Sequence, residues 1–457
     1  MNDVAKVSGE STAMVIPIEA YVSEAYARAE NEKLWGRVWQ IACRTEEIPE
    51  VGDYVTYDIL DESIIVVRSA RDRIAAYYNV CLHRGRRLTE GCGRLQQFYC
   101  RFHGWRWGLD GENLHVLDRE NWGNALSEEN LRMRQARVDT WGGWVWINMD
   151  PNCEPLRDYL DLAASLLAPF ELDKMRYRWR QWLYMPCNWK TALEAFNESY
   201  HLDATHPQMI RWGSSSYWSR AAGRHAWHGI AAPRGGESRG GAGLGSISTR
   251  PGQDPRIAAA ELNNEIKRTV DATTTDTIVK AANRLVNELP PGTPAAEVGA
   301  YLMASAARDD AARGVIWPAI DPGAAMAAGF DWHLFPNSIV LPGPTFALCY
   351  RARPHGYDPD SCIFEVYTLE RFPQGEAPKT EWVYQPDASE EKWRKILCQD
   401  FSNMPAVQKG IKSRGFPGPR PNPVQEVAVS HFHEVLAQYM GTGAPRPIQA
   451  PNGKERP

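Results

Sequence analysis

The chain has 457 residues, 43% of them hydrophobic and 23% charged, which is the make-up of an ordinary globular protein with room for two or three cores. Its net charge of −5 gives no basic field for nucleic acid or an anionic membrane, and no stretch supplies the ~20 unbroken apolar residues of a membrane helix. The acidic N-terminus lacks the apolar run of a signal peptide, and nine scattered cysteines do not form a disulfide framework, so the expectation is a cytoplasmic protein with buried free thiols.

In chain order, residues 1–15 read as disordered, and a helical pattern begins at Pro17. From Trp39 to Trp146 the pattern changes to short β runs, Tyr54–Tyr57, Ser63–Val67, Ile74–Tyr78 and Trp144–Ile147, separated by turn residues. Residues 155–170 and 186–210 read as helices with a strand between them from Arg176 to Tyr184. The segment 212–330 opens glycine-rich (234–236 and 239–245), as expected of a mobile loop able to form a lid or entry channel, and becomes helical over 256–286 and 295–313. Strands are expected at 332–341, 345–353 and 362–371, the last two forming a hairpin. A helix follows over 390–408, and a final helix is signposted by Asn422 as N-cap, Pro423 in the first turn and Gly441 after its end.

Two groups of residues carry chemistry. The first is Cys81-Leu-His83 and, sixteen residues later, Cys100-Arg-Phe-His103, each half pairing a thiolate with an imidazole. Glycine follows both halves, at Gly85 and Gly104, and lets the backbone close around a metal with N–H groups aimed at sulfur. A zinc ribbon usually builds each half from like ligands, whereas a Rieske 2Fe–2S centre places two cysteines on one iron and two histidines on the other. The runs Asn79-Val-Cys-Leu-His-Arg-Gly-Arg-Arg-Leu88 and Cys100-Arg-Phe-His-Gly-Trp-Arg-Trp107 resemble the Rieske ferredoxin and ring-hydroxylating oxygenase type. In the respiratory type two further cysteines form a disulfide over the cluster, and here those places hold Arg86 and Phe102.

The second group is the stretch from Asn188 to Pro207, with His201 and His206 among acids. Five residues apart, they would stand ~140° from each other on a regular helix, so shared ligation predicts a kink or a π-type bulge at Leu202–Thr205. Asn188-Trp-Lys190, Glu194, Asn197, Glu198, Tyr200-His201 and Thr205-His206-Pro207 resemble the catalytic-domain signature of Rieske non-haem iron oxygenases.

The resemblance runs from about Tyr21 to Tyr439 and is weakest over 212–330. It implies an α+β fold, with a small all-β Rieske domain and a larger catalytic domain whose twisted antiparallel sheet is flanked by helices (helix-grip or START-like). The expected division is 1–36 as a tail and helix packing on the catalytic domain, 37–155 as Rieske domain and 156–457 as catalytic domain. The cofactors implied are a 2Fe–2S cluster on Cys81, His83, Cys100 and His103, and a mononuclear Fe(II) on His201, His206 and a carboxylate, with positions open for O₂. The resemblance assigns that carboxylate to Asp400, 194 residues beyond His206 and beyond the reach of any spacing argument. Three residues before the first histidine most of the family carry an aspartate that links the iron site to the Rieske histidine of a neighbouring subunit. Here the position is Glu198, as in relatives oxidising quaternary ammonium compounds.

The activity implied is that of a terminal oxygenase hydroxylating an aromatic or other hydrophobic substrate, with O- or N-demethylation, or electron carriage with an inactive second domain, as alternatives. Gly240–Gly245 does not fit a dinucleotide fingerprint, so electrons are expected from a separate reductase, with or without a ferredoxin. The assembly implied is a head-to-tail homotrimer, with a small β subunit left open. An apolar pocket is expected from the helix after His206, the 212–330 segment and the strands around 335–348, with Asn337 and Tyr350 as polar contacts. His225 and His228, with no carboxylate nearby in sequence, read as pocket or surface residues, and His431 and His433 as structural.

Overall fold

Short β runs build the smaller unit. In the strand Asp53–Ile59 alternate residues are buried, as a pleated strand with one face on a core requires. It lies in a four-stranded antiparallel sheet in the order Arg73–Tyr78, Glu62–Ala70, Asp53–Ile59, Cys92–Arg94. Two three-stranded sheets complete the unit, one of Arg137–Trp141, Trp144–Asn148 and Gln40–Arg44, the other of Phe98–Tyr99, Arg106–Trp107 and Asn113–His115. Ile65, Val67, Tyr77, Phe98, Trp105 and Trp107 form a core that also takes in Cys81 and Cys100.

The computed structural model describes residues 7–9, 11–213, 215–233, 238–240 and 247–448. One compact unit runs from Arg28 to Tyr159, and the other joins the residues up to Ala27 to those from Leu160 onward. The larger unit is an eight-stranded sheet in the order Ser215–Ala222, His225–Pro233, Asp331–Leu334, Ser338–Pro342, Phe346–Pro354, Cys362–Glu370, Arg176–Met185, Val383–Tyr384, antiparallel except for its last pair. Helices Trp189–Glu194 and Val427–Met440 pack on it. Helices Pro255–Thr269, Asp276–Glu288 and Ala295–Ala312 pack on one another around Ala259, Ile278, Leu285, Val298 and Leu302. The smaller unit is thus mainly β and the larger one α+β, and both have mainly antiparallel strands. Among the described residues no helix is long and apolar enough to cross a membrane.

Four expectations change. Residues 186–210 are not one helix: Trp189–Glu194 ends at Ala195, and a single turn, Leu202–Thr205, follows. The strand expected over 332–341 reverses at Phe335–Asn337 into two antiparallel strands, a turn that Pro336-Asn337 marks in the sequence. The last helix starts at Val427, because Asn422 spends its side-chain oxygen on the N–H groups of Val424 and Gln425 in a preceding turn. Within the expected disordered 1–15, Met14–Val15 pairs with Arg446–Pro447 and Ser8 bridges to Ala221, while residues 1–6 and 10 lie outside the described residues. Most of the glycine-rich stretch, 234–237 and 241–246, also lies outside them.

The central hairpin carries a buried ionic triad. Glu365 accepts from Arg351, its cross-strand partner, and from Arg353 Nη2 at 3.0 Å. Burial pushes the Glu365 carboxyl up, but the two guanidinium groups win and hold it at about 2. Glu365→Gln should therefore lower stability by about 3–5 kcal/mol, since the buried Arg351 and the half-buried Arg353 lose the carboxylate between them. The folded pKa lies below the unfolded value of ~4.3, so the contribution is complete above that value and fades as pH falls toward 2. Denaturant titrations from pH 7 down to pH 2 check this: the gap between wild type and variant should close with acid, and a constant gap would contradict it.

Candidate active site

In the smaller unit Asn79 pins the loop that carries the first cysteine and histidine. Its Oδ1 accepts from the N–H groups of Leu88 and Thr89, and its Nδ2 donates to Thr89 O at 2.8 Å. Gly85 and Gly104 take φ of 76° and 73° and close matching turns, each donating its N–H to the carbonyl of Cys81 or Cys100 at 2.9 Å. That left-handed conformation is why glycine follows each half-motif. Cys81 and Cys100 are buried beside each other. Burial raises the Cys81 thiol's pKa, Cys100 adds to the rise, and backbone N–H groups of His83 and Arg84 aimed at the sulfur oppose it. His83 and His103 sit nearer the surface with their Nδ1 atoms 3.1 Å apart, and Trp105 stacks on His83 at 5.0 Å.

In the larger unit the structure brings His201, His206 and Asp400 together. One donor atom from each lies within 4.8 Å of the others, the one group of three or more such donors among the described residues. His206 Nε2 is 2.9 Å and His201 Nε2 3.7 Å from Asp400 Oδ1. The five-residue spacing is met without a bulge: His201 precedes and His206 follows the single α-turn Leu202–Thr205. His206 leaves helical geometry at φ −121°, ψ 58°, as a residue before proline tends to. Asp400 comes from the long helix Glu390–Ile411 and is buried.

Glu198 sits in the turn leading to His201. Its Oε1 meets His201 Nδ1 at 2.7 Å, and its Oε2 accepts the N–H groups of Tyr200 and His201. Burial disfavours the His201 imidazolium, yet the Glu198 contact outweighs it and raises the pKa. On the other ligand, His206 Nδ1 meets Gln399 Oε1 at 2.9 Å, and Gln208 Nε2 donates to that same oxygen at 2.7 Å. Since that oxygen only accepts, Nδ1 of His206 carries a proton, and Nε2 is the nitrogen that faces Asp400. Gln399→Leu should weaken metal binding about 10–100-fold. Metal-binding titrations on wild type and variant read the change, and equal affinities would remove Gln399 from this role.

Sequence reasoning missed Gln399 and Gln208, which carry no motif. It also missed a carboxylate near His228: Asp331, its register partner in the adjacent strand, places Oδ2 3.6 Å from His228 Nε2. Of the other histidines, His433 is buried against Glu194 and Tyr21, and His431 contacts Gly223 O. Asn337 is buried against Ala352 O and does not line the pocket, whereas Tyr350 does.

That pocket, of about 430 Å³, has the three converging residues in its wall. The rest is mostly aliphatic and aromatic, including Met209, Ile266, Leu302, Phe330, Phe346 and Leu348. A second cavity of about 230 Å³ is lined by Glu194, Glu198, Met404 and Glu426, so Glu198 borders both.

A paired cysteine–histidine group in one unit and a two-histidine, one-carboxylate group in the other define a class, and the comparisons give the same one. The chain matches the Rieske [2Fe-2S] domain over residues 38–122 and the ring hydroxylating alpha subunit (catalytic domain) over 170–442. It belongs to the ring-hydroxylating alpha-subunit family of Rieske oxygenases. The carnitine monooxygenase oxygenase subunit of Escherichia coli (strain K12) is 33% identical over 198 residues, 43% of this chain and 53% of that protein. Biphenyl 2,3-dioxygenase subunit alpha of Rhodococcus jostii (strain RHA1) is 31% identical over 215 residues, 44% of this chain and 45% of that protein. The chain thus aligns over about half the length of these relatives. In three dimensions it resembles the quaternary ammonium Rieske monooxygenase CntA, with a TM-score of 0.62 over 94% of this chain and 96% of that one at 18% identity, a likeness of fold.

The two families imply a Rieske 2Fe–2S cluster and a mononuclear iron, and the residues present fit both. A single tetrahedral metal would draw all four of Cys81, His83, Cys100 and His103 around one point. They do not form such a group, and two sulfurs beside two converging imidazole nitrogens suit two irons. His201, His206 and Asp400 offer two imidazoles and a carboxylate, the donor types of a facial triad.

Proposed function

We propose that this chain is the terminal oxygenase component of a Rieske system. It would use O₂, and electrons from NAD(P)H passed on by a separate reductase with or without a ferredoxin, to hydroxylate a hydrophobic substrate. The observation that carries this reading is the convergence of His201, His206 and Asp400 in the wall of an apolar pocket. In it Cys81, Cys100, His83 and His103 hold the cluster, and the three converging residues hold the iron. So held, the iron supplies positions for O₂ beside the substrate, and the cluster supplies single electrons.

The remaining work falls to side chains. Glu198 and Gln399 hold the Nδ1 protons of His201 and His206, which fixes both Nε2 atoms as ligands. The aliphatic walls exclude water and orient the substrate. Glu198 also serves as the bridge by which His83 or His103 of one protomer passes an electron to its partner, in a head-to-tail trimer whose heterologous interface closes as a ring. Its place between two cavities supports that role, since it can be approached from the side away from the substrate.

The pocket favours a neutral substrate. Carnitine, named for one relative, carries a carboxylate as well as a quaternary ammonium group, and among the described residues no lysine or arginine lines this pocket to receive the anion. The quickest check on the class is iron content: about three irons per chain for an oxygenase and about two for a carrier. With a surrogate reductase and isotope-labelled O₂, label should enter the product of a neutral arene such as naphthalene. Turnover of carnitine with none of naphthalene would overturn the substrate reading.

A further inference from the structure

The polar groups in the pocket wall, apart from those around the proposed iron site, are few, and one lacks a partner. Asp331 begins the strand Asp331–Leu334, lines the pocket and is 5% exposed. Its Oδ1 has no hydrogen-bond partner among the described residues. His228 does not supply one for Oδ2 either: at 3.6 Å it is beyond a good hydrogen bond, and its Nε2 already meets Ser199 Oγ at 2.8 Å. Nor is His228 a counter-ion, because burial, helped by the charge of His201, lowers its pKa to about 3 and keeps it neutral.

A buried carboxyl without a hydrogen-bond donor or a cation is costly as an anion. Burial, and then the negative charge of Glu198, push Asp331 well above the usual carboxylate range. Tyr350 lines the same pocket, its ring stacked on Phe196 at 4.0 Å. Burial, then the charge of Asp400, keep its hydroxyl protonated too. By contrast Asn263, another polar residue of the wall, is satisfied, donating to Ala259 O and accepting from Thr274.

We propose that Asp331, as a neutral carboxylic acid with the Tyr350 hydroxyl in the same wall, donates a hydrogen bond to an uncharged acceptor oxygen on the substrate. The substrate class is then an apolar skeleton bearing one carbonyl, ether or hydroxyl oxygen, in preference to a bare hydrocarbon or a cation. A site built to hydrogen-bond one polar group discriminates against the analogue that lacks it, because the buried partner is left unpaired. This proposal rests on reading the pocket as the substrate site.

The test uses indane and 1-indanone, which share a skeleton and differ by one carbonyl oxygen, titrated calorimetrically into the iron-loaded full-length protein. The ketone should bind about tenfold more tightly to wild type and to Asp331→Asn, whose amide still donates, and the preference should vanish in Asp331→Leu. Indane binding with no ketone preference, or a preference that survives Asp331→Leu, overturns the proposal alone. Binding of neither compound overturns the substrate-site reading along with it. Tighter binding of phenyltrimethylammonium than of the ketone, lost in Asp331→Asn, would show an anionic Asp331 and overturn the proposal. Infrared spectra of the unliganded protein at neutral pH give a second readout: a protonated-carboxyl carbonyl band should disappear in Asp331→Asn, and absence of that band from wild type also overturns it.

Discussion

Asp400→Ala should abolish turnover while leaving the visible spectrum of the Rieske cluster intact. The reasoning is geometric. Among the described residues Asp400 is the one carboxylate that closes the donor group with His201 and His206, and it comes from a helix far along the chain. Loss of a supporting partner to a metal ligand costs about 10–100-fold, so loss of a ligand itself should exceed about a hundredfold. Iron analysis should fall from about three per chain to about two. Because Asp400 is buried beside His206, Asp400→Asn is the companion variant: similar in volume, it should fold as wild type and still lose activity. Unchanged turnover in either variant removes Asp400 from the ligand set.

The second large effect concerns Glu198. Glu198→Ala should give a cluster that is reduced normally but passes its electron slowly to the iron site, with steady-state turnover falling by about a hundredfold or more. Two causes contribute and can be separated. The carboxylate holds the Nδ1 proton of His201, which affects iron affinity, and it borders the second cavity, which bears on electron entry. Glu198→Gln retains an oxygen that can accept from His201 Nδ1, so it should hold iron better than the alanine variant. Stopped-flow reoxidation of the reduced cluster in the presence of O₂ and substrate measures the transfer; a wild-type rate in Glu198→Ala would refute the bridge.

Much of this could be read from the chain alone, and what could not has physical reasons. The β runs of the smaller unit were legible because short β-branched and aromatic stretches are set off by turn residues, and Gly85 and Gly104 because tight turns demand positive φ. The cysteine and histidine pairs were legible because their ligands are local. Asp400 was found through resemblance, since nothing in a helical acid reveals what lies across a fold. The distortion between His201 and His206 was expected as a kink or a π-type bulge, and its form is a single α-turn that ends where His206 leaves helical geometry. Local spacing reports that a regular helix fails and says nothing of how the chain resolves the conflict. Asp331 was invisible because its environment comes from strand pairing with a residue about a hundred positions earlier.

The contacts of Gln399 and Glu198 also bear on metal selectivity. Each histidine is oriented by a protein partner, and the Gln399–His206 contact ties the long helix to the turn that follows Leu202–Thr205. A donor set held in this way needs little chain ordering to take up an ion, so it gains affinity for any divalent cation that accepts two nitrogens and an oxygen. The general affinity order then favours nickel, copper or zinc over ferrous iron. Faithful loading with iron must depend on which ions are supplied, and traces of zinc should act as a competitive poison during reconstitution.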